Sequence, residues 1–244
     1  VHCEDSSWGI ASCYALQGAA YHVLFVVHPA IHFPMDSINA ITKTSIPMGH
    51  PLFHLFLPHS TYSLPLDNAV LESAESVVNN NAQGTRFDPL TADGYNLKLL
   101  FGAGYNGVDP AEHGPSYMPG AYPRYNYMNP IFFEEGKPFD SFYARWLRAY
   151  YDVFLECTKP IAAYIKADPK LMQYTQNWAR YCRTHVHGFP GPEEIEQGDT
   201  LAKVMAIYTW NNSVSHGGDH WSFANQVSPV EKCLRIRRKP PTSR

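Results

Sequence analysis

Residues 8–46 carry apolar and small side chains almost without a polar face. Ala11, Tyr14, Ala15, Gly18, Ala19, His22, Leu24 and Phe25 follow one another with few charges between them. A helix that is apolar all round belongs in the centre of a domain. The pattern therefore predicts a long buried helix here, disturbed where Pro29 and Pro34 remove backbone donors. The next stretch, His50 to His59, has prolines at 51 and 58 and reads as a Pro-rich connection. Residues 65–78 read as a second helix, ended by Asn79-Asn80-Asn81 and Gly84. Residues 102–137 are rich in Gly, Pro, Tyr and Asn and predict a long irregular segment whose tyrosines can pack; loops this long usually cover something or act. Over residues 139–166, Phe142, Trp146, Ala149, Tyr150, Val153, Phe154 and Cys157 recur at helical spacing and predict a long amphipathic helix with a kink at Pro160. Asp168-Pro169 is a cap followed by a first-turn proline, opening a helix through about residue 182. Gly188 to Gly191 predicts a turn. Asp199 or Thr200 then caps a helix through Leu201, Val204, Met205 and Tyr208 to about residue 223. Strand signals are weak and no repeat is visible. The expected fold is mainly α, a single helical domain over residues 1–244.

Composition sharpens this picture in a few places. At 45% hydrophobic, the 244 residues can bury a sizeable core and do not fit a disordered chain. No apolar run approaches the ~20 residues of a membrane span, so no integral span is expected. The net charge of -3 gives no basic face for nucleic acid. Cys3, Cys13, Cys157, Cys182 and Cys233 are scattered and odd in number, which fits reduced thiols or at most one or two bridges and leans towards the cytoplasm. The chain starts without Met and without a charged-then-apolar leader. Twelve histidines and 14% aromatics together suggest a polar site inside an apolar shell.

The histidines are spaced as ligands. His216 and His220 are four apart on the late helix and share a face, with Gly217 and Gly218 between them leaving room for close approach. On the early helix His22, His28 and His32 sit among apolar residues, where each imidazole needs a partner. Two helices with two histidines each predict a transition-metal site, and nitrogen-rich ligation suits Fe, Mn, Cu, Ni or Zn better than Mg or Ca. Set against this, an H-x-x-x-H pair in a His-rich chain arises by chance, and buried histidines are often only hydrogen-bonded. H-E-x-x-H is absent, so a zinc protease has no support. G-x-S-x-G, the phosphate-binding P-loop and the dinucleotide-binding G-x-G-x-x-G are absent as well.

His50-Pro51-Leu52-Phe53-His54-Leu55-Phe56-Leu57-Pro58-His59 resembles the H-P-I/L-Y/F-x-L-L/I-x-P-H segment of lipoxygenases. Ala167-Asp168-Pro169-Lys170-Leu171 is similar to that family's A-D-P-E-L. Gly188-Phe189-Pro190, a capped helix and Ser215-His216 resemble its G-F-P…S-A-x-H, and Pro240-Pro241-Thr242 its P-P-P-T. These pieces follow in order and at similar spacing through most of the chain. Counting back from His50, the resemblance places the first iron ligand at His22, a later non-ligand histidine at His32 and an acidic residue at Asp36. It places further ligands at His216 and at His220. The second early ligand falls on Val27, one residue before His28. A one-residue bulge would bring His28 into place, and Pro29 favours one by leaving the Phe25 carbonyl unpaired; wide turns inside helices occur often at functional sites. The rival early pair is His28 with His32. The expected metal ligands are thus His22, His28, His216 and His220, with His32 in reserve.

The resemblance implies a non-haem iron oxidoreductase, with manganese as the alternative metal and dioxygen as co-substrate. Lipoxygenases cycle iron between two oxidation states, take a hydrogen atom from the doubly allylic carbon of a cis,cis-1,4-diene, and add dioxygen to give a hydroperoxide. The implied partner is a small unsaturated, fatty-acid-like molecule. The family also supplies a C-terminal Ile carboxylate, where this chain reads Thr242-Ser243-Arg244; either further chain follows or water fills that position. The family's N-terminal β-barrel and the first half of its catalytic domain have no counterpart in the 244 residues. The chain reads as a compact family member or a piece of one, and a compact pocket would suit a smaller substrate. Leu24, Trp210 and Trp221 are candidate pocket walls, but ordinary core packing is the better reading of each. Asp36, His50 and His59 read as structural, and His185 and His187 as surface residues. Arg124, Arg145 and Arg148 could receive a carboxylate but read as solvated, as does the basic stretch 232–239.

Overall fold

The computed structural model describes residues 5, 7–22, 28–61, 63–65, 127–128 and 142–218, without the side chains of residues 16–22, 28–30, 33 and 142–144. The described residues are mainly helical, and no strand occurs among them. They fall into two units. One holds α1 (Trp8–His22). The other holds all described residues from Ala30 to Gly218.

In the first unit, residues 8–15 of α1 do not have the burial that their apolar sequence predicts. Trp8 and Ile10 are exposed and residues 11–14 only half-buried. The second unit begins in α2 (His28–Ser45). Pro29 lies in its first turn, where no backbone donor is needed. Pro34 lies inside α2, which nevertheless runs through to Ser45, at the cost of the one bond Pro34 cannot donate. One face, with Met35, Ile38, Asn39 and Thr42, is buried.

The expected Pro-rich connection is instead a helix, α3 (Pro51–Ser60). Pro51 occupies the first position, where its fixed φ favours a helix. His50 is the N-cap: its Nδ1 accepts from the Leu52 N–H at 3.1 Å. The amide it satisfies is one of the four that any helix start leaves unbonded. Nε2 of the same ring stands 3.0 Å from the Leu171 carbonyl, so Nε2 carries the proton and donates. Burial holds the His50 pKa below its ordinary value, opposed by the bond to Leu171 and the charge of Asp168.

α4 (Phe142–Ala167) is the long amphipathic helix, and it continues as helix through Pro160. Its buried stripe differs from the expected one. Leu147, Tyr151, Thr158, Ala162 and Ile165 are buried. Trp146, Tyr150 and Val153 are exposed, as is Cys157. α5 (Pro169–His185) starts as read: Asp168 accepts from Lys170 N at 2.8 Å and from Leu171 N at 3.2 Å. It buries Met172, Thr175, Trp178, Ala179 and Cys182. The turn at Gly188 has φ 73°, a region glycine enters without a Cβ clash.

α6 (Thr200–Trp210) is the centre of this unit. Every residue from Leu201 to Trp210 except Lys203 is buried. Asp199 stands at its N-cap without a side-chain capping bond. α4 packs along it, fastened by Thr158 Oγ1 to the Ala202 carbonyl (2.8 Å) and by Trp210 Nε1 to the Leu147 carbonyl (2.9 Å). On another side Phe56 of α3 stacks on Tyr208 with ring centroids 4.0 Å apart. Trp178 of α5 donates from Nε1 to Thr42 Oγ1 of α2 at 2.9 Å. The indole donors each end on a protein acceptor, as buried polar groups require. The expected second helix over residues 65–78 lies outside the described residues beyond a short helical turn at 63–65. The irregular segment 102–137 is described only at Tyr127 and Met128; Tyr127 donates from its hydroxyl to the Val204 carbonyl at 2.9 Å.

Candidate functional site

The late helix does not continue as α-helix after Trp210. Residues Asn211–Ser215 form a π turn, and the His216 N–H bonds to the Asn211 carbonyl five residues back. Polar side chains bond back along the turn. Asn212 Nδ2 donates to the Tyr208 carbonyl at 2.9 Å and Ser213 Oγ to the Thr209 carbonyl at 2.5 Å. Both bonds reach carbonyls four residues back, where a carbonyl accepts beside its backbone partner. One inserted residue rotates everything after it by about 100° relative to an unbroken helix. The first side chain placed by that rotation is His216.

His216 meets His32 of α2. Their ring centroids are 4.4 Å apart and the planes cross at 88°. Both rings line a cavity of about 250 Å³, together with Ile31, Asp36, Pro58, His59, Thr61, Ser63 and Asn212. Three elements build it. α2 contributes His32 and, one turn later on the same face, Asp36. The end of α3 contributes Pro58 and His59, and the π turn contributes Asn212 and His216. Burial holds the His59 pKa below its ordinary value. Beneath the cavity Asn39 and Ser60 tie α2 to α3: Asn39 Nδ2 donates to the Ser60 carbonyl at 3.1 Å and Ser60 Oγ to Asn39 Oδ1 at 3.2 Å. The adjacent Tyr208 hydroxyl is buried beside the Ser60 side chain, without a hydrogen bond of good geometry. Burial, with the Asp36 charge adding to it, raises the Tyr208 pKa well above that of an ordinary phenol.

Of the expected metal ligands, His216 stands in this cavity, and the reserve His32 stands against it. The side chains of His22 and His28 and the whole of His220 lie outside the described residues, as does the wide turn expected before Pro29. Among the described residues no three His, Cys, Asp or Glu side chains converge to hold an ion. Asp36 and His59, read from sequence as structural, line the cavity as well. His50 is structural as read. Trp210 is a core residue and does not line the cavity; it lies edge-on to Tyr151 at 6.3 Å. Leu24, Trp221 and Arg124 lie outside the described residues. Arg145, Arg148, His185 and His187 are exposed, and Arg148 pairs with Asp152 at 3.1 Å. Sequence reasoning missed His59, Asn212 and the π turn. The available signal was a run of poor helix formers, Asn211-Asn212-Ser213, inside an otherwise strong helix.

Comparisons of the chain with protein-family models, with curated proteins and with solved structures find no match. No helix among the described residues is long and apolar enough to cross a membrane.

Proposed function

We propose that the chain is a lipoxygenase-like non-haem iron oxidoreductase acting on an unsaturated, fatty-acid-like small molecule. The observation that supports this reading is the contact of His216 with His32 in one cavity, on a helix whose register is reset immediately before His216. Imidazole nitrogen is a donor that suits iron or manganese, and Asp36 and Asn212 line the same cavity. The proposed ligands are His22, His28, His216 and His220, with His32 in reserve. Bound iron would supply a one-electron couple strong enough for hydrogen abstraction from a 1,4-diene, with dioxygen as co-substrate. The chain's own part is to hold the imidazoles and to present polar groups from Asp36, His59 and Asn212 beside them. Ile31 and Pro58 give the cavity its apolar edge.

A second reading has one observation in its favour. A cavity of about 250 Å³ with this many polar groups lies below the usual ~300–1,000 Å³ of ligand pockets. It suits a metalloenzyme of the same fold oxidising a smaller, non-lipid molecule. A non-catalytic helical binding protein is the third outcome. Protein reconstituted with Fe(II) and given linoleate is expected to consume oxygen and develop conjugated-diene absorbance. Iron at about one equivalent with no oxygen uptake selects the second reading. Iron or manganese below a tenth of an equivalent refutes both metalloenzyme readings.

A further inference from the structure

We propose that the cavity between α2, the end of α3 and the π turn binds a small primary ammonium ion, held by acceptor oxygens of Asp36, Thr61 and Asn212. The proposal goes beyond the iron reading and does not rest on it. An ion at His216 would put a second cation into the same space.

The polar side chains of the wall spend their protons away from the cavity, on the protein itself. Thr61 Oγ1 donates to the Leu57 carbonyl at 2.8 Å. Ser63 Oγ donates to the Ser60 carbonyl at 3.2 Å and accepts from Asn39 Nδ2 at 2.8 Å. Asn212 Nδ2 donates to the Tyr208 carbonyl at 2.9 Å. A carbonyl only accepts, so that bond fixes which end of the Asn212 amide is oxygen. A hydroxyl has one proton and two lone pairs, and an amide oxygen has two lone pairs. What Thr61 Oγ1 and Asn212 Oδ1 still offer is therefore acceptor capacity. Asp36 adds a carboxylate with about four acceptor positions, so it can take a further donor beside any partner it already has. The three imidazoles of the wall can present a nitrogen of either kind and do not decide the matter. Among the described residues no Lys or Arg lines the cavity. Lys43, nearby, donates to the Ser60 carbonyl at 3.4 Å.

A primary ammonium matches this wall. It carries three N–H donors and no acceptor, and the wall brings acceptors from three elements. Burying such a charge is costly unless its donors are met, and these oxygens meet them. A carboxylate, which only accepts, would set lone pairs against lone pairs. Ile31 and Pro58 give the carbon stem an apolar wall. At about 30 Å³ for each water-sized group, the 250 Å³ of the cavity admits about eight non-hydrogen atoms. The ligand class is a short alkyl amine.

The test titrates the whole chain, in the presence of a chelator, with three probes that share one carbon chain: n-butylammonium, butyrate and butyltrimethylammonium. Calorimetry and saturation-transfer NMR read the affinities. Butylammonium should bind at least about ten-fold more tightly than butyrate, and by a similar factor more tightly than butyltrimethylammonium, which keeps the charge but has no N–H. Thr61→Val keeps the shape, removes the oxygen and should weaken butylammonium about two- to ten-fold, the worth of one hydrogen bond. Asp36→Asn should weaken it by more than about ten-fold. Thr44→Val, on the exposed side of α2, should match wild type. Circular dichroism and the urea midpoint check that each variant folds. Thr61 is exposed, so its variant serves even where Asp36→Asn does not fold. Equal affinity for the three probes, tighter binding of butyrate, no binding of butylammonium, or wild-type affinity in Thr61→Val overturns the proposal. The iron reading fails separately. Selective butylammonium binding by a chain that retains less than a tenth of an equivalent of iron keeps the amine site and refutes the metal. Iron at about one equivalent, with no butylammonium binding to the metal-free chain, does the reverse.

Discussion

Replacing His50 tests how far the H-P-L-F segment is a structural clasp. Its imidazole performs two jobs at once. Nδ1 caps α3 through the Leu52 N–H, and Nε2 donates to the Leu171 carbonyl of α5, which Thr175 Oγ1 also reaches at 3.0 Å. Loss of a side-chain N-cap costs about 1 kcal/mol. Loss of the second bond costs about 1 kcal/mol more, softened because Thr175 still satisfies Leu171. The vacancy left by the ring adds to these, so His50→Ala should destabilise by about 2–4 kcal/mol. His50→Asn keeps a good capping oxygen but cannot reach Leu171, and should cost about 1–2 kcal/mol. The assay is urea unfolding in the presence of a chelator, so that bound metal does not contribute to the midpoint. The same reasoning fixes a pH dependence. Charging His50 places a proton on the nitrogen that must accept from Leu52, and burial already lowers its pKa below 6.5. As pH falls, the unfolded chain therefore takes up the proton first. Stability is fully present above the unfolded value of 6.5 and declines as pH falls from there to the folded value, below which the loss is complete. His50→Asn should flatten this decline, leaving the part due to His59, whose pKa is lowered in the same direction. A loss under about 0.5 kcal/mol in His50→Ala, or an undiminished pH slope in His50→Asn, would refute the clasp.

Thr42→Val leaves the buried Trp178 indole N–H without its acceptor and should cost about 1–3 kcal/mol in the same urea assay, although the two side chains have nearly one shape. Tyr208→Phe removes a buried hydroxyl that makes no hydrogen bond of good geometry, so stability should be unchanged or raised by up to about 1 kcal/mol; a clear loss would mean that the neighbouring Ser60 bonds to it. Gly188→Ala forces a Cβ into a residue with φ 73° and should cost about 1 kcal/mol, read as a lower thermal midpoint.

Where local rules and packing agree, the sequence is enough. The Asp168-Pro169 start, the Gly188 turn and the length of α4 follow from caps, glycine and periodicity. α4 shows where this runs out. It carries two helical stripes of comparable apolarity, one with Trp146, Tyr150 and Val153, the other with Leu147, Tyr151 and Ala162. Periodicity cannot rank them. The second is buried because Leu147 offers its carbonyl to Trp210 and Tyr151 meets the same indole edge-on, partners that lie about 60 residues away. The segment His50–Ser60 fails for another reason: proline was weighed as a breaker without regard to position. Pro51 stands where a helix has a donor to spare, and Pro58 lies close to the end, where it disturbs one exposed bond.

The cavity was hard to read because it depends on a departure from helical periodicity. Spacing arguments carried an unbroken α-helix from Leu201 through His216, and so could not give the direction of His216. The π turn changes the direction in which His216 points; His220 lies outside the described residues. Nothing in hydrophobic pattern encodes such a rotation, since residues 211–214 are only half-buried and gain little from it. The local signal is a run of poor helix formers, Asn211-Asn212-Ser213, whose side chains at 212 and 213 bond back to the preceding turn. These are poor helix formers at the end of a segment that is buried from Leu201 to Trp210 apart from Lys203, where good helix formers would have extended the core at lower cost. A sequence locally at odds with its own fold marks strain or function. Here the π turn directly precedes His216, whose imidazole lines a cavity together with His32 from α2.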